Sequence, residues 1–112
     1  MSLLIELKDC ISTLGLPVET GVFSAPAPDT YAVLIPLAET FDLAADNQPN
    51  IRIEEVRISL FAKGNYNAVK NALTETLLAA GITVTARQYI GFETETGYHH
   101  YNIDAADYFE IP

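Results

Sequence analysis

The chain is poor in cysteine, histidine and positive charge, and it has no long apolar run. Each scarcity excludes something. Cys10 is the only cysteine, so no disulfide can form within the chain and no thiolate cluster can hold a metal. No stretch approaches the ~20 consecutive apolar residues that cross a bilayer. The start, Met1-Ser2-Leu3-Leu4-Ile5-Glu6, lacks the basic segment and small-residue cleavage site of a secretory signal. Together these features point to folding in a cytoplasm and away from a membrane partner. Only 6 basic residues face 15 acidic ones, giving a net charge of −9. Nucleic-acid binding needs a basic surface to displace counterions, so sequence-specific binding is not expected. Arg87 is the last basic residue, while Glu93, Glu95, Asp104, Asp107 and Glu110 follow it. Such charge favours solubility, and an acidic surface also meets basic partners or repels a polyanion.

What is present is enough apolar material for one core. Of 112 residues, 49% are hydrophobic, which suits a single domain over residues 1–112. Residues 2–14 read as an amphipathic helix, with Leu4, Leu7, Ile11 and Leu14 at three- and four-residue steps. Ser2 can cap its start, Gly15 suits the left-handed position after its end, and Pro17 blocks continuation. Cys10 lies beside the stripe as a small packing residue. A loop-like stretch follows, whose one strand candidate lies around Val18–Phe23. Residues 31–38 form a better strand: Tyr31, Val33, Ile35 and Leu37 share one face, with Ala32 and Leu34 on the other. Both faces are apolar, and Pro36 favours an edge position or the strand's end.

Residues 39–50 are the most loop-like, with Asp42, Asp46, Asn47, Gln48, Pro49 and Asn50, yet they also carry Phe41 and Leu43. Residues 51–63 form a long strand in which Ile51 and Ile53 have the opposite parity to Val56, Ile58, Leu60 and Ala62. That phase change predicts a bulge or break near Glu54 and Glu55. Asn65 can cap a helix over 66–80, whose face is Tyr66, Val69, Leu73, Leu77 and Ala80, and Gly81 supplies the stop. Strands over 82–92 and 98–109, joined by Glu93-Thr94-Glu95-Thr96-Gly97, make an antiparallel hairpin, with Tyr101, Ile103, Ala105 and Phe109 sharing one face. The expected class is α+β: an antiparallel or mixed sheet of four to five strands with two helices packed on it.

Chemistry is sparse. The nearest approach to a site is Glu93, Glu95, His99, His100 and Asp104. Adjacent histidines on a strand diverge, so His99 and His100 cannot share a metal, although His100, Asn102 and Asp104 do share a face. Ser12, Ser24 and Ser59 lack a nucleophile elbow, and no Gly-rich phosphate loop is present. No catalytic, cofactor-binding or metal residue is therefore assigned, and an enzyme is the least favoured class.

Several stretches carry a resemblance. Ala45-Asp46-Asn47 precedes a long strand with Arg57-Ile58-Ser59-Leu60-Phe61; then come Ala80-Gly81-Ile82, Tyr89-Ile90 and Glu93-Thr94-Glu95-Thr96-Gly97-Tyr98-His99-His100-Tyr101. Over residues 16–111 this order and spacing resembles a family of small minor tail or head–tail joining proteins of siphophages and prophages of Gram-positive bacteria. The resemblance implies a tail-terminator or neck subunit: a mixed sheet flanked by helices that assembles with itself into rings, typically hexamers. Its partners would be tail-tube and head-connector proteins, and its place the host cytoplasm during assembly and then the virion neck or tail. It implies no cofactor and no catalytic residues. Where relatives carry a charged turn after the long strand, this chain has Ala62-Lys63-Gly64-Asn65, which puts any function of that turn in doubt. Phe41, Asp42, Leu43, Asp46 and Asn47, polar and apolar together, are the expected inter-subunit contact.

Two other readings fit the residues. One is a small-ligand-binding regulatory domain of ferredoxin-like type. The other is a metal-assisted hydrolase using His100 and Asp104.

Overall fold

A computed structural model describes residues 2–22, 27–43 and 49–111. The elements in chain order are α1 (Leu3–Thr13), β1 (Val18–Thr20), β2 (Thr30–Leu43), β3 (Pro49–Ala62), α2 (Tyr66–Ala79), β4 (Thr83–Phe92) and β5 (His99–Glu110). The fold is α+β, with five strands in the order β1-β2-β3-β5-β4. β1 runs parallel to β2 and every other pair is antiparallel, so the sheet is mixed. The order α-β-β-β-α-β-β differs from the β-α-β-β-α-β order of ferredoxin-like folds. A ligand-binding reading therefore has to rest on a pocket.

Both helices lie on one face of the sheet. There Ala32 pairs with Leu60 and Leu60 with Tyr101, and the next row is Leu34, Ile58 and Ile103. Leu3, Leu7 and Ile11 of α1 and Leu73 and Leu77 of α2 close over these rows in one core. The α1 stripe is Leu3–Leu7–Ile11, with Leu4 and Cys10 packed at its side, while Leu14 is exposed. Leu14 stands at the helix's C-cap, where the chain has begun to turn away from the sheet. The same holds for Ala80, the exposed C-cap of α2.

Local signals set the helix ends. The Ile5 N–H donates to Ser2 Oγ at 3.3 Å and the Ala68 N–H to Asn65 Oδ1 at 3.3 Å, each supplying a partner for a helix-start N–H. Gly15 (φ 74°) and Gly81 (φ 82°) adopt the left-handed turn that ends each helix.

Two sequence expectations are corrected. Residues 39–43 and 49–50 are strand, not loop: β2 runs to Leu43 and β3 starts at Pro49. Their polar side chains mislead because they are used across strands, as Glu39 with Arg52. The bulge expected near Glu54 and Glu55 lies beside them but in the partner strand: β2 shifts register between Pro36↔Val56 and Ala38↔Glu55, and again between Asp42 and Leu43, whereas the β3–β5 register is unbroken from Ile51↔Glu110 to Ala62↔His99. Ile51 and Ile53 instead stand on the face opposite the core. Further shifts in β4, between Val84/Ala86 and Tyr89/Gly91, had no sequence signal.

The molecule measures 54 × 25 × 23 Å. Beyond the row Thr83↔Ala106, the last row containing β4, strands β2, β3 and β5 continue as a three-stranded arm.

Candidate interaction surface

The arm begins at a polar joint under the start of α1. The Leu3 N–H donates to Glu54 Oε1 at 2.9 Å, placing a carboxylate at the positive end of the helix. Arg52 Nε lies 2.9 Å from Glu54 Oε2 and 4.0 Å from Glu39 Oε2, and its guanidinium sits 5.2 Å from the centre of the Phe109 ring. Glu6 approaches from α1. Burial first, and then the negative charge of Asp107, push its carboxyl above the usual carboxylate range. The joint thus ties the arm to the helix layer through charge-assisted bonds, where the body uses leucine packing.

Past the joint, apolar groups meet solvent. Phe41 is 50% exposed and Tyr108 64%, and Ile35 and Leu37 are exposed at the arm's root. Phe41 pairs with Arg52 and Thr40 with Ile53, which in turn pairs with Tyr108. Of the expected contact residues, Phe41 is thus an exposed strand residue. Asp42 and Leu43 continue β2, opposite Ile51 and Pro49 in backbone register. Asp46 and Asn47 lie outside the described residues. Sequence reasoning missed Tyr108 and Leu37 as exposed groups. The alternation over 106–110 would have flagged Tyr108, because Phe109 claims the core-facing parity.

The face of the sheet away from the helices carries a second feature. Tyr31, Phe61 and His100 form one row, Val33, Ser59 and Asn102 the next, and Ile35, Arg57 and Asp104 a third. Phe61 stacks on Tyr31 at 4.9 Å and on His100 at 4.3 Å between ring centres, and Tyr98 meets both Tyr31 and Phe61 edge-on. Tyr98 is fixed by donating its hydroxyl to the Pro28 carbonyl at 2.6 Å. Ser59 donates to Asn102 Oδ1 at 3.2 Å, a buried polar pair satisfied within the row. A hollow of ≈ 360 Å³ opens beside these residues, bordered by Val22, Tyr31, Val33, Phe61 and His100.

The histidine and carboxylate group expected from the sequence is dispersed. His99 faces the helix side, its Nδ1 2.9 Å from the Tyr89 hydroxyl and its ring against Tyr66 and Phe92. His100 faces the other way, and burial pushes its imidazole below the usual histidine range despite the nearby Glu93 carboxylate. Asp104 is held by Arg57 in a two-point pair, Nε–Oδ1 2.8 Å and Nη2–Oδ2 3.1 Å, which raises the Arg57 pKa. A carboxylate so engaged is a poor metal ligand. Among the described residues no group of three or more His, Cys, Asp or Glu side chains is placed to hold a metal ion. No described helix is long and apolar enough to cross a membrane.

Protein-family models give no match to this sequence, and curated proteins give no significant match.

Proposed function

We propose that the chain is a structural virion subunit: a ring-forming tail terminator or head–tail joining protein of a long-tailed phage or prophage. The observation that carries the reading is the arm. Apart from Phe109, which packs against the core, the arm extends three strands past the body and leaves Phe41 and Tyr108, with Leu37 at its root, in solvent. Such a surface suits burial against neighbours, and rings built from identical subunits use heterologous contacts of this kind. The sequence resemblance supplies the kind of assembly, and the net charge of −9 suits a ring that a polyanion passes through without adhering. Partners are then further copies of the chain, the tail tube and the head connector, met in the host cytoplasm and retained in the virion neck. Deleting the gene from its prophage and imaging induced particles tests this. Separate full heads and unjoined or irregular tails are expected, and normal joined particles would sink the reading.

The hollow beside Phe61 and His100 favours one second reading, a small-ligand-binding regulatory domain. An aromatic floor with one half-buried imidazole suits a planar apolar ligand. Its test is a fluorescence or calorimetric screen of such compounds, in which binding lost on Phe61→Ala supports it and no saturable binding removes it.

A further inference from the structure

The sheet ends in two unpaired edges that match each other. β1 pairs only Ala32–Leu34, so among the described residues the outer edge of β2 from Ile35 to Leu43 has no neighbour. At the other end of the strand order, β4 has β5 on one side and, among the described residues, no strand on the other along its 10 residues. Exposed edges of this length are normally blunted by Pro, Lys, bulges or a covering element. β2 has Pro36 and one irregularity at the root of its open stretch and β4 has two, but Arg87–Tyr89 of β4 is regular, and β4 has no Pro or Lys and leaves Ile90 and Phe92 about half exposed.

We infer that β4 of one copy pairs with the β2 arm of the next, continuing the sheet from subunit to subunit. This rests on the ring reading and specifies its contact. Four features of the geometry support it.

Direction is the first. From β2 through β3 and β5 to β4 each step is antiparallel, so β2 and β4 run oppositely. A copy placed head to tail therefore offers its β2 antiparallel to β4, with its helices on the same face. Length is the second, because the open stretch Ile35–Leu43 closely matches Thr83–Phe92.

Charge is the third. On a chain of net charge −9, β4 contains no acidic residue and carries Arg87. Arg87 is exposed and held by the neutral Asn71 amide at 3.3 Å, with no carboxylate partner among the described residues. The open part of β2 has Glu39 and Asp42 and no basic residue. Arg87 reaches toward α2 and Glu39 toward Arg52 under α1, so both stand on the helix side and would meet across the new pairing.

Register is the fourth. Arg87 shares its row with Ile103, Ile58 and Leu34, whereas Glu39 shares its row with Glu54, four residues along β3 from Ile58. Setting Glu39 opposite Arg87 thus staggers each copy by roughly 13 Å over four strands spanning roughly 19 Å. The strands then tilt by roughly 35°, within the range at which sheets close on themselves. The same stagger sets Thr83–Gly91 against the open stretch Leu43–Ile35, and only Phe92, at the end of β4, comes level with β1 at Leu34.

Cross-linking in a Cys10→Ala background tests the contact. With Glu39 opposite Arg87, Thr40 falls opposite Ala86 in a non-hydrogen-bonded pair, whose Cα separation of about 4.5 Å suits a disulfide. Mixing Thr40→Cys with Ala86→Cys subunits under oxidation should give at least ~10-fold more covalent dimer than either variant alone. The doubly substituted chain should give a ladder of covalent oligomers. Glu39→Lys or Arg87→Glu should reduce the yield about tenfold, and the two together should restore it. Circular dichroism confirms that each variant is folded.

No excess dimer in the mixture overturns the contact, as does dimer from Ala86→Cys alone, which would mean that two β4 edges pair. Ring formation is scored separately by electron microscopy of unmodified protein and particles. Rings without the mixed cross-link remove this contact and leave the ring reading standing, whereas normal particles after gene deletion remove the ring reading itself.

Discussion

Strands β2, β3 and β5 pass through two regions that treat the same backbone differently. In the body, one face of each strand is sealed by leucines from two helices: Leu34, Ile58 and Ile103 are wholly buried. In the arm, pairing continues without a helix above it, and an ion-pair joint replaces the leucines where the two regions meet. Ile51 and Ile53, out of phase with the body's core residues, mark the changeover. Residues that stabilise a fold sit where cover is complete. Exposed apolar residues such as Phe41 and Tyr108 sit where pairing persists and cover stops. The comparison can be tested by asking whether substitutions in the two regions separate stability from assembly.

The largest effect belongs to the body. Leu73→Ala leaves a cavity under α2 at a position with no solvent exposure, and a loss of about 2–5 kcal/mol in urea denaturation is expected. A loss below about 0.5 kcal/mol would place Leu73 in the class of surface sites.

Next is the sheet's outer face. Asp104→Ala frees Arg57 from a two-point but partly exposed pair, and about 1 kcal/mol is expected, shrinking in high salt. A loss as large as that of Leu73→Ala would show that this face is part of the core.

Smaller still is a pH effect at His100. Its pKa is lower folded than unfolded, so the unfolded chain takes up a proton first as pH falls. Stability from the neutral ring is fully present above the ordinary histidine range and is lost as pH drops toward the folded value. Thermal melts between pH 7.5 and 5.5 should therefore fall more for the native protein than for His100→Phe, which keeps the stack on Phe61. Equal falls would mean that the imidazole does not titrate differently on folding.

The body was largely legible in the sequence. Ser2, Asn65, Gly15 and Gly81 announced the helix ends, and the alternation of Val56, Ile58 and Leu60 fixed which face is buried. Pro36 marked β2 as an edge-type strand, and the structure leaves β2 without a full-length neighbour on that side. The arm was not legible, for a physical reason. Polar residues such as Glu39 and Asp42 are the usual marks of a loop, and nothing local reveals that Arg52 stands near Glu39 across the sheet. The parity switch in β3 was visible, but the bulge beside it belongs to β2, and β3 itself keeps an unbroken register with β5. A strand that changes which face is apolar without changing its own phase changes its environment, and the thinning of helix cover is a long-range fact. The His99–His100 divergence followed from strand geometry alone, whereas the Arg57–Asp104 pair needed the register.

If the arm serves assembly while the body holds the fold, the double variant Phe41→Ala/Leu43→Ala separates the two. Its melting temperature should stay within about 3 °C of the native value, because Phe41 is half exposed and the arm is expected to serve assembly. In a phage lacking its own copy of the gene, heads and tails should form but fail to join. A folded double variant that restores normal infectious titre would contradict the arm's role in assembly.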